Sequence, residues 1–316
     1  MSKVSICIPC YNEGKNIELI YNRIKDIMHT IPQYEYEIIY EDNDSTDSSK
    51  KILEVLAEKD QNVKVIFNTR NFGPRNSARN CCFNATGDVI ICIACDLQDP
   101  PEMIPEFLKY WEEGELLVLG QKKTSQESGI KYHLRSVYYK IIKNFSEIPQ
   151  YEQVTGFGAV DRKIYDLIKG LNSQDMSFRH LLAQIGFKAK IIPYEQQQRI
   201  HGKSSYNFLS YLDFAISSLV TTSTFPIKLS LYLGLLSSTI GLILIFTIIF
   251  IKLFNWNYFS CGMILFSCIF IFFSGLQLIG LGFIGEYLSI VLKRVTSKPL
   301  VIEEKRLNFE NNKNLK

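Results

Sequence analysis

The chain has 316 residues, of which 21% are charged, and its formal net charge is only +3, from 35 basic and 32 acidic residues. This balance excludes a dedicated nucleic-acid binder, because no basic stripe with interleaved aromatic residues is present. Most of the charge lies in residues 1–207, whereas residues 229–251 and 253–285 contain none. This unevenness predicts a soluble domain followed by a membrane segment.

Strand and helix patterns alternate in the first part of the chain. Apolar runs predict strands at 4–9, 37–40, 63–67 and 89–95, and helical spacing of apolar residues predicts helices after each of them. This order, βαβαβαβ, indicates an α/β domain with a mostly parallel sheet and right-handed crossovers.

Polar residues follow each predicted strand, and parallel strands place all four groups at one edge of the sheet. The groups are Tyr11, Asn12 and Glu13; Glu41, Asp42, Asn43 and Asp44; Arg70 and Asn71; and Asp96 to Asp99. Ligands of open α/β sheets bind at that edge, so a binding crevice is expected there. Neither a GxGxxG nor a GxxxxGK[ST] motif is present. A nucleotide would instead be held by carboxylates, with a divalent ion on its phosphates.

The fourth strand opens directly onto acidic residues, in the segment DVIICIACDLQDPPE. Asp96 and Gln98 are two residues apart, so they are expected to project to one side of the strand end. This pattern predicts a metal site.

Cysteines form two CxxC pairs, Cys7 with Cys10 and Cys92 with Cys95, which raises the question of a zinc site. Residues three apart in a strand point to opposite faces, so buried reduced thiols in a reducing cytosol are favoured over zinc.

The two uncharged runs predict a hairpin of membrane-spanning helices, at about 229–251 and 259–285. The first run makes a helix of about 35 Å, enough to cross a hydrocarbon core of about 30 Å. Basic residues flank the pair, with Lys252 alone in the connecting segment, so both termini are expected in the cytoplasm. The N-terminus enters a strand at once and lacks a signal-peptide pattern. The expected organisation is a cytoplasmic domain at 1–207, an interfacial amphipathic helix at 208–226, two spans within 227–295 and a cytoplasmic tail at 296–316.

Seven motifs in order resemble the polyprenyl-phosphate hexose transferases of glycosyltransferase family two, which include bactoprenol glucosyltransferases and dolichol-phosphate mannose synthases. The motifs are CIPCYNEGKNI, EDNDSTD, TRNFG, DLQDPPE, TGFGAVDRK, GKSSY and GFIGEYLSIVLKRV. The resemblance covers residues 3 to 303. It implies an A-type glycosyltransferase fold, a nucleotide-sugar donor, a Mg²⁺ or Mn²⁺ ion, a polyprenyl phosphate acceptor and a homotetramer in the inner membrane.

The resemblance also implies roles for individual residues. Positions that match the donor site are Pro9, Tyr11, Glu13, Asp42, Asn43 and Arg70, together with Arg199 and Lys203 in the RIHGKSS segment that closes over the donor phosphates. Asp96 and Gln98 match the metal and diphosphate positions, and Asp99 completes the expected catalytic set. Lys122 and Arg135 fall where the family holds the acceptor phosphate.

Two positions depart from the family pattern. Ala94 stands at the first position of the usual Asp-x-Asp, so the ion would depend more on diphosphate oxygens and water. Asn43 likewise replaces a frequent acidic residue. The expected function is inverting transfer of a hexose, with glucose from UDP-glucose as the first candidate, to undecaprenyl phosphate. The alternatives are an inactive membrane scaffold that partners a flippase, which Ala94 suggests, and a processive polysaccharide synthase, which QQQRI at 196–200 suggests.

Overall fold

The structure is a computed structural model that describes residues 1–123, 154–171, 178–197, 225–254, 262–295 and 299–309. These residues belong to two compact units. The described parts before residue 198 and after residue 298 form an α/β unit. The described residues from 225 to 295 form a helical unit.

An eight-stranded sheet forms the centre of the α/β unit, in the order β7-β5-β6-β4-β1-β2-β3-β8. The strands are β1 (Lys3–Cys10), β2 (Glu35–Asp42), β3 (Val63–Asn68), β4 (Val89–Cys92), β5 (Leu117–Lys122), β6 (Val154–Asp161), β7 (Lys190–Tyr194) and β8 (Glu303–Leu307). The four predicted strands, β1 to β4, pair in parallel as expected. β6 pairs antiparallel with both β4 and β5, and β7 is parallel to β5. The predicted α/β class with a mostly parallel sheet is confirmed.

Helices connect the strands and cover the sheet. They are α1 (Ile17–Thr30), α2 (Ser49–Lys59), α3 (Pro74–Phe83), α4 (Ile104–Glu112), α5 (Arg162–Gly170) and α6 (Phe178–Ile185). α1 shows why they form: Ile17, Ile20, Ile24 and Met28 recur at helical spacing and are all buried. Each such side chain contributes about 1.5–3 kcal/mol when fully buried. The helices thus hold the strand ends in fixed positions.

The fourth strand is shorter than predicted, because β4 ends at Cys92 rather than at residue 95. Its last sheet-like bond is donated by the Ile93 amide to the Cys7 carbonyl, at 3.0 Å. Beyond it, Leu97 adopts a left-handed backbone with φ of 59°. Asp96 and Gln98 therefore lie on a turn and not on an extended strand.

The thiols of the two CxxC pairs lie on opposite faces of the sheet, as predicted. Cys10 and Cys95 belong to the main hydrophobic core, whereas Cys7 contacts Cys81 and Cys82 of α3. Burial raises the pKa of Cys7 and of Cys10. All four thiols are free; Cys7, Cys10 and Cys95 are buried, and Cys92 is half-buried.

The segment after the helical unit, predicted as a cytoplasmic tail at 296–316, contributes a strand to the sheet. Residues 303–307 form β8, antiparallel to β3. The Thr69 amide donates to the Ile302 carbonyl at 3.0 Å, and the Asn308 side-chain amide donates to the carbonyls of Ala57 and Val63. Among the described strands, β8 thus covers β3 and becomes the outermost strand on that side of the sheet.

The helical unit contains two long helices that contact each other, α7 (Phe225–Phe254) and α8 (Gly262–Val295). At one contact, a β-carbon placed on Gly280 would lie 3.6 Å from the Ser230 β-carbon. Among the described residues, one segment, Phe272–Leu292, is long and apolar enough to cross a membrane, with a mean hydropathy of 1.6. It begins and ends later than the predicted second span. The predicted interfacial helix lies largely outside the described residues, at 208–224.

Candidate active site

Four parallel strands bring the predicted polar groups to one edge of the sheet. In the pairing register, Cys10 lies opposite Asp42, and Asp42 lies opposite Phe67 on β3. On the other side of β1, Cys7 lies opposite Cys92. The segments that follow β1, β2, β3 and β4 therefore leave the sheet at the same edge.

The loops after β1 and β2 are joined by hydrogen bonds. The Asn12 amide donates to the Ser45 hydroxyl at 2.8 Å, and the Thr46 amide donates to Asn12 Oδ1 at 2.8 Å. The Gly14 amide donates to Asp47 Oδ2 at 3.0 Å. Asn12 has a left-handed backbone with φ of 56°, which asparagine tolerates better than most residues. These hydrogen bonds hold the two loops together as one surface at the carboxyl ends of β1 and β2.

Asp42, at the end of β2, is a buried carboxylate at this surface. Its Oδ2 accepts a hydrogen bond from the Ser45 amide at 3.0 Å, whereas its Oδ1 is buried without a hydrogen-bond partner. Burial raises the pKa of Asp42, while the Ser45 bonds oppose the rise. An unpaired buried acceptor is costly, so this oxygen suits a ligand that carries an N–H or O–H donor.

Asn43 connects the loops after β2 and β3. Its Oδ1 accepts from the Phe72 amide at 2.9 Å, and its Nδ2 donates to Asn71 Oδ1 at 2.9 Å. The next residue, Asp44, has a left-handed backbone with φ of 63°. Both ends of the Asn43 side chain are used within the protein, so the residue shapes the predicted donor site rather than extending into it.

The other predicted donor residues line the same edge. Tyr11 is exposed, and Pro9 and Glu13 are half-buried. The exposed Arg70 stacks its guanidinium on the Phe72 ring, 4.0 Å from the centroid. The predicted residues Arg135, Arg199 and Lys203 lie outside the described residues.

Asp96 and Gln98 lie on the turn after β4. Both are half-buried, whereas Cys95, Leu97 and Asp99 between and beside them are buried. The backbone N–H of Gln98 donates a hydrogen bond to Asp96 Oδ1 at 3.2 Å. The two side chains offer the oxygen ligands that hard cations prefer. Among the described residues, no group of three or more His, Cys, Asp or Glu side chains is arranged to hold a metal ion.

Asp99 is buried behind this turn, and Tyr194 of β7 contacts it. The Tyr194 hydroxyl donates to Asp99 Oδ1, and the Gln197 amide donates to the Gln98 carbonyl at 2.9 Å. Burial raises the pKa of Asp99, while the bond from Tyr194 and the nearby charge of Lys122 lower it. Lys122, predicted at the acceptor phosphate, thus lies close to the turn. Sequence reasoning missed Tyr194, because 95 residues separate it from Asp99.

Glu41 is a second buried carboxylic acid, next to Asp42 at the carboxyl end of β2. Glu41 accepts hydrogen bonds from the Asn68 and Asn80 side-chain amides, at 2.9 and 3.0 Å. Asn80 also donates to Glu303 of β8 at 3.0 Å. Burial raises the pKa of Glu41 to about 8, against the lowering effect of the two amides. Sequence analysis placed Glu41 among the polar residues after the second strand, whereas Glu41 belongs to β2.

Comparison with known proteins gives consistent relatives. Residues 5–168 match the family described as Glycosyl transferase family 2. The chain is 32% identical to the uncharacterized glycosyltransferase YkcC of Bacillus subtilis, over 97% of this chain and 95% of the relative. It is 29% identical to the SfII prophage-derived bactoprenol glucosyl transferase of Shigella flexneri, over 96% of this chain and 98% of the relative.

The fold also has a solved counterpart. Mannosyl-3-phosphoglycerate synthase from Rubrobacter xylanophilus superimposes with a TM-score of 0.50 at 15% identity, over 68% of this chain and 71% of that chain. At this identity the likeness concerns the fold alone, which is the A-type glycosyltransferase fold predicted for the α/β unit. The matched family spans more than half of the chain, so the protein is a glycosyltransferase and belongs to glycosyl transferase family 2.

Proposed function

We propose that this enzyme transfers a hexose from a nucleotide sugar to undecaprenyl phosphate at the cytoplasmic face of the inner membrane, with inversion. UDP-glucose is the first candidate donor, and the product would serve modification of cell-envelope glycans such as lipopolysaccharide or O-antigen. The observation that carries the proposal is the unpartnered Asp42 Oδ1 at the same sheet edge as Asp96 and Gln98. Near full-length relatives named as bactoprenol glucosyl transferases support it.

The oxygen ligands at Asp96 and Gln98 fit Mg²⁺ or Mn²⁺, which keep several waters and bind substrate phosphates. When bound, such an ion supplies Lewis-acid stabilisation of the departing diphosphate. Asp42 would accept a hydrogen bond from the donor, and Lys122 would attract the acceptor phosphate. By resemblance, Arg135 would also hold the acceptor, and Arg199 and Lys203 the donor phosphates.

The chemistry requires no strong general base. A phosphate monoester has a second pKa near 6, so the acceptor is largely dianionic at cytoplasmic pH. One of its oxygens attacks the anomeric carbon as the bond from that carbon to the diphosphate oxygen breaks. The nucleoside diphosphate leaves with the bonding electron pair, and the configuration inverts. Asp99 is therefore not needed as a base.

The sheet supports a two-span membrane arrangement with both termini on one side. β1 precedes the two long helices in the chain and β8 follows them, yet both strands belong to the same sheet. A bilayer does not divide a sheet, so the chain between residues 197 and 299 crosses it an even number of times or not at all. If Phe272–Leu292 spans the membrane, a second crossing is needed, and α7 contains the uncharged run 229–251.

The homotetramer that the family resemblance implies stays a prediction.

The test is transfer by purified full-length protein, with undecaprenyl phosphate and a panel of radiolabelled nucleotide sugars. Label in a lipid-extractable monosaccharide, greatest with UDP-glucose, is the expected result. Long water-soluble polymer would instead favour a processive synthase. The absence of transfer with every donor would favour the scaffold.

A further inference from the structure

Tyr194 reaches the turn that carries Asp96 and Gln98 from another strand. The turn is locally strained, because the buried Leu97 between these two residues has a left-handed backbone that a branched side chain rarely adopts. Such a conformation persists only where the surroundings fix it. The contacts that fix this turn therefore control where the two side chains point.

Two contacts from the end of β7 hold the turn. The Tyr194 hydroxyl donates to the buried Asp99 carboxylate, and the Gln197 amide donates to the Gln98 carbonyl at 2.9 Å.

The Tyr194 ring is itself held tightly. It packs edge-on against Phe157, with ring centroids 5.6 Å apart, and Phe157 packs edge-on against Phe107 at 4.9 Å. The ring also lies against Gly120 on β5, where an added β-carbon would lie 3.0 Å from Tyr194 Cε1. A larger residue at position 120 would therefore displace the ring. This packing aims the hydroxyl at Asp99.

We propose that Tyr194 is a positioning residue, which acts through Asp99 to hold Asp96 and Gln98 in the geometry that binds the metal ion and the donor diphosphate. This inference rests on the proposed function and assigns Asp99 a positioning role in place of a catalytic one. Outer-shell partners of metal ligands typically change metal affinity by about 10- to 100-fold.

The test measures Mn²⁺ binding to the full-length protein in detergent, with UDP present, from the electron paramagnetic resonance signal of free Mn²⁺. Because Tyr194 bonds to Asp99 and not to a metal ligand, we expect Tyr194→Phe to weaken Mn²⁺ binding by about 10-fold, the lower end of the range for outer-shell partners. The matched control is Tyr34→Phe, because the Tyr34 hydroxyl also donates to a carboxylate, that of Glu112, at the amino-end side of the sheet. The control should leave Mn²⁺ affinity unchanged.

A second variant tests the same position without removing the hydroxyl. Gly120→Ala should also weaken Mn²⁺ binding, and it should add little in the Tyr194→Phe background, because both changes act through one bond. Gly120→Ala also tests the positioning role of Tyr194 if Tyr194→Phe fails to fold.

Three outcomes count against the inference. If Tyr194→Phe binds Mn²⁺ like the wild type, this inference is overturned and the proposed function is not. The same follows if Tyr34→Phe loses as much Mn²⁺ affinity as Tyr194→Phe. A wild-type protein that binds no Mn²⁺ with UDP overturns the metal site of the proposed function, and this inference with it.

Discussion

Asp96 is the residue on which the proposed chemistry depends most. Asp96→Asn keeps the shape of the side chain and removes its charge, so a bound cation would lose its strongest protein ligand. We expect transfer to fall to background while the protein still inserts into membranes, as measured by lipid-linked product and membrane fractionation.

Asp88→Asn is the matched control, since Asp88 is exposed and lies just before β4, at the opposite end of that strand. This variant should retain transfer. An Asp96→Asn enzyme with normal activity would refute the metal assignment.

Glu41 predicts a dependence of stability on pH. Its pKa is raised from 4.5 to about 8 in the folded protein, so folding favours its protonated form. The stabilising contribution of protonated Glu41 to the free energy of unfolding is fully present below pH 4.5. It is lost as the pH rises through 8, by about 1.4 kcal/mol for each pH unit between these values. Glu41→Gln should flatten this fall in the free energy of unfolding, as followed by thermal unfolding from pH 5 to 8.

Glu37 provides a control of opposite sign. Burial opposes its ionisation, but the bonds from Lys64, Ser5 and Thr86 outweigh burial and lower its pKa to about 2. Its stabilising contribution is present above pH 4.5 and is lost as the pH falls toward 2. Glu37→Gln should lower the free energy of unfolding by a constant amount above pH 4.5, and should change its slope with pH only in the acid range. An unchanged slope in Glu41→Gln between pH 5 and 8 would show that Glu41 is ionised throughout.

At the scale of elements, β8 is expected to stabilise the sheet. It pairs with β3, and the Lys305 ammonium approaches Glu54 at 3.1 Å. A chain ended after residue 299 loses this strand and leaves the β3 edge unpaired, which invites aggregation. We expect a lower Tm and larger particles in size-exclusion chromatography, with about 2–4 °C lost for each kcal/mol.

A chain ended after residue 309 keeps every described residue of β8 and is the control. It should match the full-length protein in Tm. Equal behaviour of the two shortened chains would mean that β8 contributes nothing to stability.

The contrast between β1 and β8 explains which elements the sequence predicts. β1 to β4 are rich in apolar residues, and α1 shows helical spacing, so local patterns suffice for them. β8 reads EEKRL, without an apolar alternation, and it is a strand because β3 lies beside it. The same holds within the site: Asp42 and Asp96 were predictable from their place after strands, whereas the contact of Asp99 with Tyr194 depends on tertiary structure.

At the scale of the whole molecule, the proposed two-span arrangement predicts which segments face which compartment. In a protein whose native Cys261 and Cys268 are replaced by serine, a cysteine at Asn257, in the segment between α7 and α8, should react with a membrane-impermeant maleimide added outside spheroplasts. A cysteine at Glu304 on β8 should react only after the membrane is opened. Labelling of both from outside, or of neither, would contradict two spans.

The closing of the sheet by its last strand has a consequence for biosynthesis. Translation proceeds from the N-terminus at about 5–20 residues per second, and domains begin to fold as they emerge. β3 ends at Asn68, but its outer neighbour is complete only at Leu307, after both long helices have left the ribosome. Nascent chains therefore carry an open β-edge for most of their synthesis, and an abortive product that stops within α8 retains it permanently. In the finished sheet the outermost strand on this side is instead the short, charged β8, so quality-control proteases and chaperones that recognise apolar edges would distinguish finished from unfinished enzyme by this strand.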